Sequence, residues 1–587
     1  MSKSHYVASL PPKHAQILVI GGGPAGAYAA SALAREGHSV TVLEAAKFPR
    51  YHIGESLIPS VRHYLRFIGA EDKLVNHGFI PKPGAVMKFN QYKREGYTDF
   101  VALGHNNNSW NVIRSEFDHI LLNHARVSGA AVYEQTKVTD ITFSQQDPDQ
   151  PVSICWSHTP PPLPMSPPAS PSAYMRGDPR TDSSQKDPTI TGSTSFTYLV
   201  DASGRAGVLS TRYFKNRHFN ASLKNIAVWG YWTAVGTYGE GTTRQGAPYF
   251  EALTDESGWA WFIPLHNGTT SVGVVMNHKE YQEKGKQGST GASTPILDKY
   301  LSNLQLAPSI VKLVTENGRL DGTVQFASDY SYSAPSYAGA GYRIVGDAGA
   351  FIDPFFSSGV HLALTSALSA ASSICASIRG QCSEAFAALW HTKRVATSYT
   401  RFQIVVLSAY KQIRAQSDGV LSDVDEDNYD RAFSFLRPVI QGASDVGARL
   451  SENELQKSLD FCVNLFNPSL EQHQHLLPDN PLVKDLVDVE RPFIDPRVLD
   501  QVMAIPELSF SATQDTPEAH ADSDAASEFQ RVIETKMLLD KINARRLIHA
   551  EYGLHNLEEE PLDGYAVRLE VGDLGLIQVQ GTGSQHQ

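Results

Sequence analysis

The sequence is poor in cysteine, carries no basic tract and lacks a long, strongly apolar run, and each absence removes a class of protein. Its four cysteines, Cys155, Cys375, Cys382 and Cys462, show no CxxC and no metal-ligand spacing. That pattern predicts a reducing compartment, the cytoplasm, and no bound metal. Lys and Arg number 50 against 62 Asp and Glu, a net charge of −12, which weighs against nucleic acid and against an anionic membrane as partners. The most apolar run, residues 361–378, is rich in Ala and Ser. It is too polar for a membrane span and reads as a buried helix. Residues 1–16 lack the apolar core of a signal peptide, and the final "GTGSQHQ" matches no address signal. What remains is an ordinary globular composition, 41% hydrophobic and 19% charged over 587 residues, enough for a large core and two or three domains.

The apolar run "ILVI" stops at three glycines, a helix of small residues follows to Gly37, and "SVTVLE" then reads as a second strand. This is a βαβ unit. Apolar spacing of three and four predicts a helix over 112–129, and "AVYEQTKVTDITF" reads as strand. Residues 160–179 hold eight prolines in twenty, so about 145–194 is expected to be a disordered insertion, with a short hairpin at "PVSICWSH". Alternation over about 224–278 predicts a sheet, and 384–470 has a helical pattern. The expected fold class is α/β: a Rossmann-like domain, an inserted β-sheet domain and a helical C-terminal region. The expected boundaries are 1–145, with a lysine-bearing segment at 78–89, the insertion at 146–194, a return to the first domain at 195–223, the second sheet at 224–335, a strand–loop–helix segment at 336–380, helices at 381–510, and an acidic linker and tail at 511–587.

Gly21, Gly23 and Gly26 form G-x-G-x-x-G between strand and helix. The loop Gly21, Gly22, Gly23, Ala25 and Gly26 permits a tight turn and close approach to a pyrophosphate, with helix N–H donors added. Glu44 ends the second strand, where a carboxylate accepts from ribose hydroxyls. Asp347, in "GDAGAFIDP", resembles the second fingerprint of FAD hydroxylases that meets the ribityl chain, and Arg114, in "VIRSEFD", resembles the same class. Backbone N–H groups at Gly359 and Val360 open a helix beside the expected flavin ring. Glu55, in "GESLIP", falls where flavin contacts occur in that class, or else serves its helix start.

Two further motifs make the resemblance specific. Trp259-Ala260-Trp261-Phe262-Ile263-Pro264 fits W-x-W-x-I-P, and Phe351, Pro354, Ser357 and Gly359 fit F-x-x-P-x-x-S-x-G. The chain resembles the flavin-dependent halogenases that act on phenols and pyrroles, over about 15–145 and 195–375. The resemblance implies that reduced FAD and O₂ form a flavin hydroperoxide, that chloride bound at Ser358 and Gly359 becomes hypochlorous acid, and that a lysine delivers the chlorine. Register with "GFIPKPGAVMKF" puts that lysine at Lys82, with Lys88 as the rival. Trp259 and Trp261 share one face of a strand and form a wall between flavin and substrate, or simply fill a core. Where the tryptophan-specific branch has a glutamate, this chain has Phe356. That departure favours a phenolic substrate, and "KPGA" resembles the fungal branch that chlorinates aromatic polyketides. The resemblance also implies a separate NAD(P)H flavin reductase. The other readings are a single-component aromatic hydroxylase and a non-catalytic flavoprotein. Tyr399, Phe402 and Tyr410 either line the substrate pocket or pack the helices.

Overall fold

Residues Ile17 to Val19 are wholly buried, which puts the strand His14–Ile20 in the middle of a sheet rather than at its edge. Its parallel neighbours are Val40–Leu43 on one side and Ile190–Asp201 on the other. Ala131–Tyr133 extends the first side in parallel, and Tyr342–Ile344 and then Ala338–Gly339 extend the second. Thr136–Phe143 and Pro151–His158 complete the eight strands. Strands buried on both faces must be covered by helices. Pro24–Arg35 lies between Arg114–Val127 and Gly359–Ile378, where alanines and serines let the backbones approach closely. The helix Gly359–Ile378 is long and apolar enough to span a bilayer by length and composition, yet its residues are buried inside the protein.

The second sheet has seven strands, in the order Arg319–Ser328, Asn225–Thr233, Thr270–Asn277, Gly258–Pro264, Tyr249–Ala252, Gly84–Lys88 and Gly96–Asp99. Period-two alternation splits it into two cores. Trp229, Phe250, Trp259, Trp261 and Ile263 face the first domain. Val228, Tyr249, Ala260 and Phe262 face outward beneath the helices Ile296–Leu304 and Pro308–Val314. The helix Glu384–Ile413 contributes to both domains, with Trp390 in the first core and Tyr399 and Tyr410 against the tryptophans.

These features belong to a computed structural model that describes residues 10–414, 416, 539, 542, 557–558 and 561–579, except 90, 92–94, 102–106, 160–188, 221–222, 288–295 and 329–330.

Three expected boundaries shift. Residues 190–194 are expected within the disordered insertion, and 151–158 as a short hairpin inside it. Both are strands of the first sheet, antiparallel to each other, with Ser153 opposite Ser195 and His158 opposite Ile190. The remainder of that insertion, 160–188, lies outside the described residues. Gly84–Lys88 belongs to the second sheet and not to the flavin domain, since Val86 pairs in parallel with Tyr249. The expected tail contains a hairpin, Tyr565–Arg568 with Gly575–Gln578, whose Val567, Leu574 and Leu576 enter the first core. The expected helices from 417 to 470 lie outside the described residues.

Candidate active site

The two sheets and the helix Gly359–Ile378 enclose a cavity of about 490 Å³. At one end lies the glycine loop. Gly21 has φ +101°, and a Cβ there would meet the Ala202 carbonyl oxygen at 2.3 Å; a Cβ on Gly26 would meet the Gly21 carbonyl oxygen at 2.0 Å. Only glycine fits either position. Gly21, Gly23 and Ala25 form the wall, with Gly22 and Gly26 behind it. Glu44 also lines the cavity, holding the loop by accepting from the Gly22 N–H at 2.6 Å and the Ala46 N–H at 2.7 Å. A carboxylate oxygen has a second lone pair, so these bonds leave capacity for a ribose hydroxyl.

Arg114 lines the cavity from the start of its helix, paired with Asp118 at 2.9 Å and bonded to the Ile53 carbonyl at 2.8 Å. Asp347 also lines the cavity, and burial pushes its carboxyl up to about 6. Gly359 and Val360, at the N-terminus of a 20-residue helix, face the same space. Ser358 stands at the N-cap position of that helix without a side-chain capping bond; it is fully buried and off the cavity wall, and its hydroxyl has no hydrogen-bond partner among the described residues. A dinucleotide fits this cradle: there is backbone room at one end, carboxylates beside it, and the N–H groups of a helix start at the other.

Trp259 and Trp261 line the cavity on one strand face, with ring centroids 5.7 Å apart. A Cβ on Gly273 would meet the Trp261 ring at 2.3 Å, so glycine on the neighbouring strand makes room for that indole. The Trp261 indole N–H donates to Ser271 at 3.0 Å, and that of Trp259 to Tyr410 at 2.8 Å. Tyr410 in turn donates to Asp353 at 2.8 Å, and Asn225 donates to both. Asp353 is fully buried, and burial pushes its carboxyl up to about 6. One buried network therefore ties the tryptophan strand, the F-x-x-P loop and the helix Glu384–Ile413 together. Tyr410 itself is off the cavity wall: it packs in the core and is bonded to the wall residue Trp259. Tyr399 packs in the same core, and Phe402 packs on His361.

Glu55 lines the cavity and accepts from Tyr231 at 2.8 Å; burial raises its carboxyl above the ordinary range. Tyr51 bonds to Tyr231 at 3.0 Å and accepts from the Trp229 indole at 2.9 Å.

Lys82 is off the cavity wall and 1% exposed. Its amine donates to Ser56 Oγ at 2.9 Å and to the Leu57 carbonyl at 2.8 Å, and lies 5.3 Å from the centre of the Phe100 ring. Burial alone pushes the amine down to about 7. Among the described residues no carboxylate pairs with it. Phe356 packs edge-on against Phe355, with ring centroids 4.9 Å apart. Lys88 has a structural environment instead, bonded to Ser309 at 3.0 Å and near Glu251 at 3.4 Å. Sequence reasoning missed Ser56, Tyr231, Asn225 and Asp353. Ser56 and Asp353 each adjoin a residue already singled out, Glu55 in one case and Pro354 in the other.

The sequence model of the tryptophan halogenase family matches residues 16–152 and 189–421. The chain is 48% identical over 573 residues to flavin-dependent halogenase armH1 of Armillaria mellea, covering 96% of this chain and 99% of that protein. It is 42% identical over 572 residues to sulochrin halogenase gedL of Aspergillus terreus, covering 96% and 93%. Among solved structures it is similar to CmlS, a flavin-dependent halogenase, with a TM-score of 0.57, 25% identity and 79% of each chain covered.

Proposed function

The chain belongs to the flavin-dependent halogenases of the tryptophan-halogenase family, and from that premise we propose that it chlorinates an electron-rich phenolic aromatic of polyketide secondary metabolism, with Lys82 as its catalytic residue. When bound in reduced form, FAD supplies the electrons by which O₂ turns chloride into hypochlorous acid. In this reading the glycine loop, Glu44, Arg114 and Asp347 bind and orient the dinucleotide. Ser358 and the Gly359 N–H hold chloride at the helix start, where the dipole favours an anion. Trp259 and Trp261 keep the aromatic substrate off the flavin, so that oxygen is not transferred to it directly. Among the described residues there is a single dinucleotide-binding fold, which supports supply of reduced flavin by a separate NAD(P)H flavin reductase in the cytoplasm.

The observation that carries the reading is the burial of the Lys82 amine between two neutral acceptors. A lysine paired with a carboxylate is held charged. This one has only neutral acceptors and is desolvated, so at neutral pH a large share of it is a free amine. Its lone pair attacks the chlorine of hypochlorous acid. The N–Cl bond forms, the O–Cl bond breaks, and the departing hydroxide takes a proton from Nζ to leave as water. The substrate ring then takes the chlorine and loses its own proton. A phenol suits this delivery because its hydroxyl already activates the ortho and para carbons, so no carboxylate is required at Phe356.

The test is incubation with chloride, O₂, FAD, a flavin reductase and NADH against a panel of phenols and indoles, followed by mass spectrometry. Chlorine on phenols and not on indoles is expected. Oxygen insertion without chlorine would favour the hydroxylase reading and overturn this one.

A further inference from the structure

The lysine is not held by an acid, yet it is held. Its strand, Ile80–Lys82, pairs with Ser109–Asn111, and Ser56 bridges to Asn111 beside it. Ser56 and Leu57 are consecutive, and both of their oxygens accept from Nζ. Ser56 also lines the cavity, whereas Lys82 does not. A neutral amine has two hydrogens and one lone pair. Two acceptors within 2.9 Å account for both hydrogens. In that form the two acceptors leave one direction for the lone pair, and one of them, Ser56, belongs to the cavity wall.

We propose that Ser56 is a positioning residue for Lys82: its hydroxyl, together with the Leu57 carbonyl, accepts the N–H bonds of the amine and holds Nζ in one orientation directly behind the cavity wall. This rests on Lys82 being the delivering residue. Ser56 forms no bond to halogen or substrate; it acts by fixing the rotation about the last carbon–nitrogen bond and the end of a flexible side chain. An amine released from that hold still has its reactivity but samples several directions, and misdirection of a reacting atom costs on the order of tenfold to a hundredfold in rate. A neutral hydroxyl serves here better than a carboxylate, because a carboxylate would raise the amine's proton affinity and remove the lone pair at neutral pH.

The experiment compares Ser56→Ala, Ser56→Thr and Lys82→Ala with the wild type. Four quantities are measured: FAD affinity by flavin fluorescence, hypohalous acid released to a thioether trap, halogenated phenol formed per NADH, and the pH profile of that yield from 6 to 9. Ser56→Ala is expected to bind FAD and release hypohalous acid within about twofold of wild type, while its halogenated yield falls on the order of tenfold or more. Ser56→Thr, which keeps the hydroxyl, is expected to restore most of the yield. The rising limb of the pH profile moves to lower pH in Ser56→Ala, because the charged amine loses an acceptor. Wild-type yield and an unmoved limb in Ser56→Ala would overturn the assignment. So would a parallel loss of FAD binding and yield, which would show a structural role only. If Lys82→Ala halogenated as well as wild type, the reading of Lys82 would fail first and the assignment of Ser56 with it.

Discussion

Replacing Lys82 by methionine tests the burial of the amine without reference to turnover. The side chain is 1% exposed, and burial alone takes the amine from 10.5 to about 7. Between those values the unfolded chain holds a proton that the folded chain does not. Wild-type stability therefore rises with pH through this window, by about 1.4 kcal/mol per pH unit. Across the whole interval the effect is roughly 5 kcal/mol, a loss fully present below about pH 7 and recovered above about pH 10.5. Methionine is similar in length and carries no proton. It leaves Ser56 Oγ and the Leu57 carbonyl without their donor, at a pH-independent cost of about 1–3 kcal/mol each. The prediction is consequently a slope. In urea unfolding, wild type gains about 2 kcal/mol on Lys82→Met between pH 7.5 and 9.0. A stability difference that stays flat over that range would refute the claim that this lysine is desolvated and unpaired.

Lys88→Ala removes a partner of the buried Glu251 and is expected to cost about 1–3 kcal/mol of stability while leaving halogenation per folded molecule unchanged; a Lys82-like loss of halogenation would reopen the choice between the two lysines. Gly273→Ala puts a Cβ 2.3 Å from the Trp261 ring and should displace the indole wall; FAD affinity is expected to hold while NADH consumed per halogenated product rises severalfold. Asp353, whose carboxyl is pushed up to about 6, is protonated when folded at a pH where the unfolded chain has lost that proton. Wild-type stability should therefore fall as pH rises from about 4 to 6, and Asp353→Asn, which lacks that dependence, should gain roughly 3 kcal/mol on wild type across the window by urea unfolding; a constant difference would refute the assignment.

Features held in short runs of chain were legible in the sequence. The glycine loop, the paired tryptophans and the F-x-x-P loop each declare themselves within nine residues, because turn geometry and strand alternation are local. Constellations made by long-range contact were not. Lys82 meets Ser56 26 residues away, and Trp259 reaches Tyr410 151 residues away. No periodicity announces such pairs. The insertion was drawn too wide for a different reason. Ile190 to Ser195 pair with Ser153 to His158 at the solvent side of the sheet, where polar residues occupy exposed positions and look like loop. The C-terminal hairpin was unreadable because its apolar residues are few and depend on the first core for burial.

The most direct test of the account is bromination of a phenol by wild type and by Lys82→Ala, each supplied with FAD, flavin reductase, NADH, O₂ and bromide, with free hypobromous acid trapped in parallel. The account predicts a bromine isotope doublet on the phenol from wild type. It predicts little or none from the variant, which should still release hypobromous acid to the trap. Equal enzyme-bound bromination by both proteins, or a product gaining oxygen and no bromine, would contradict it.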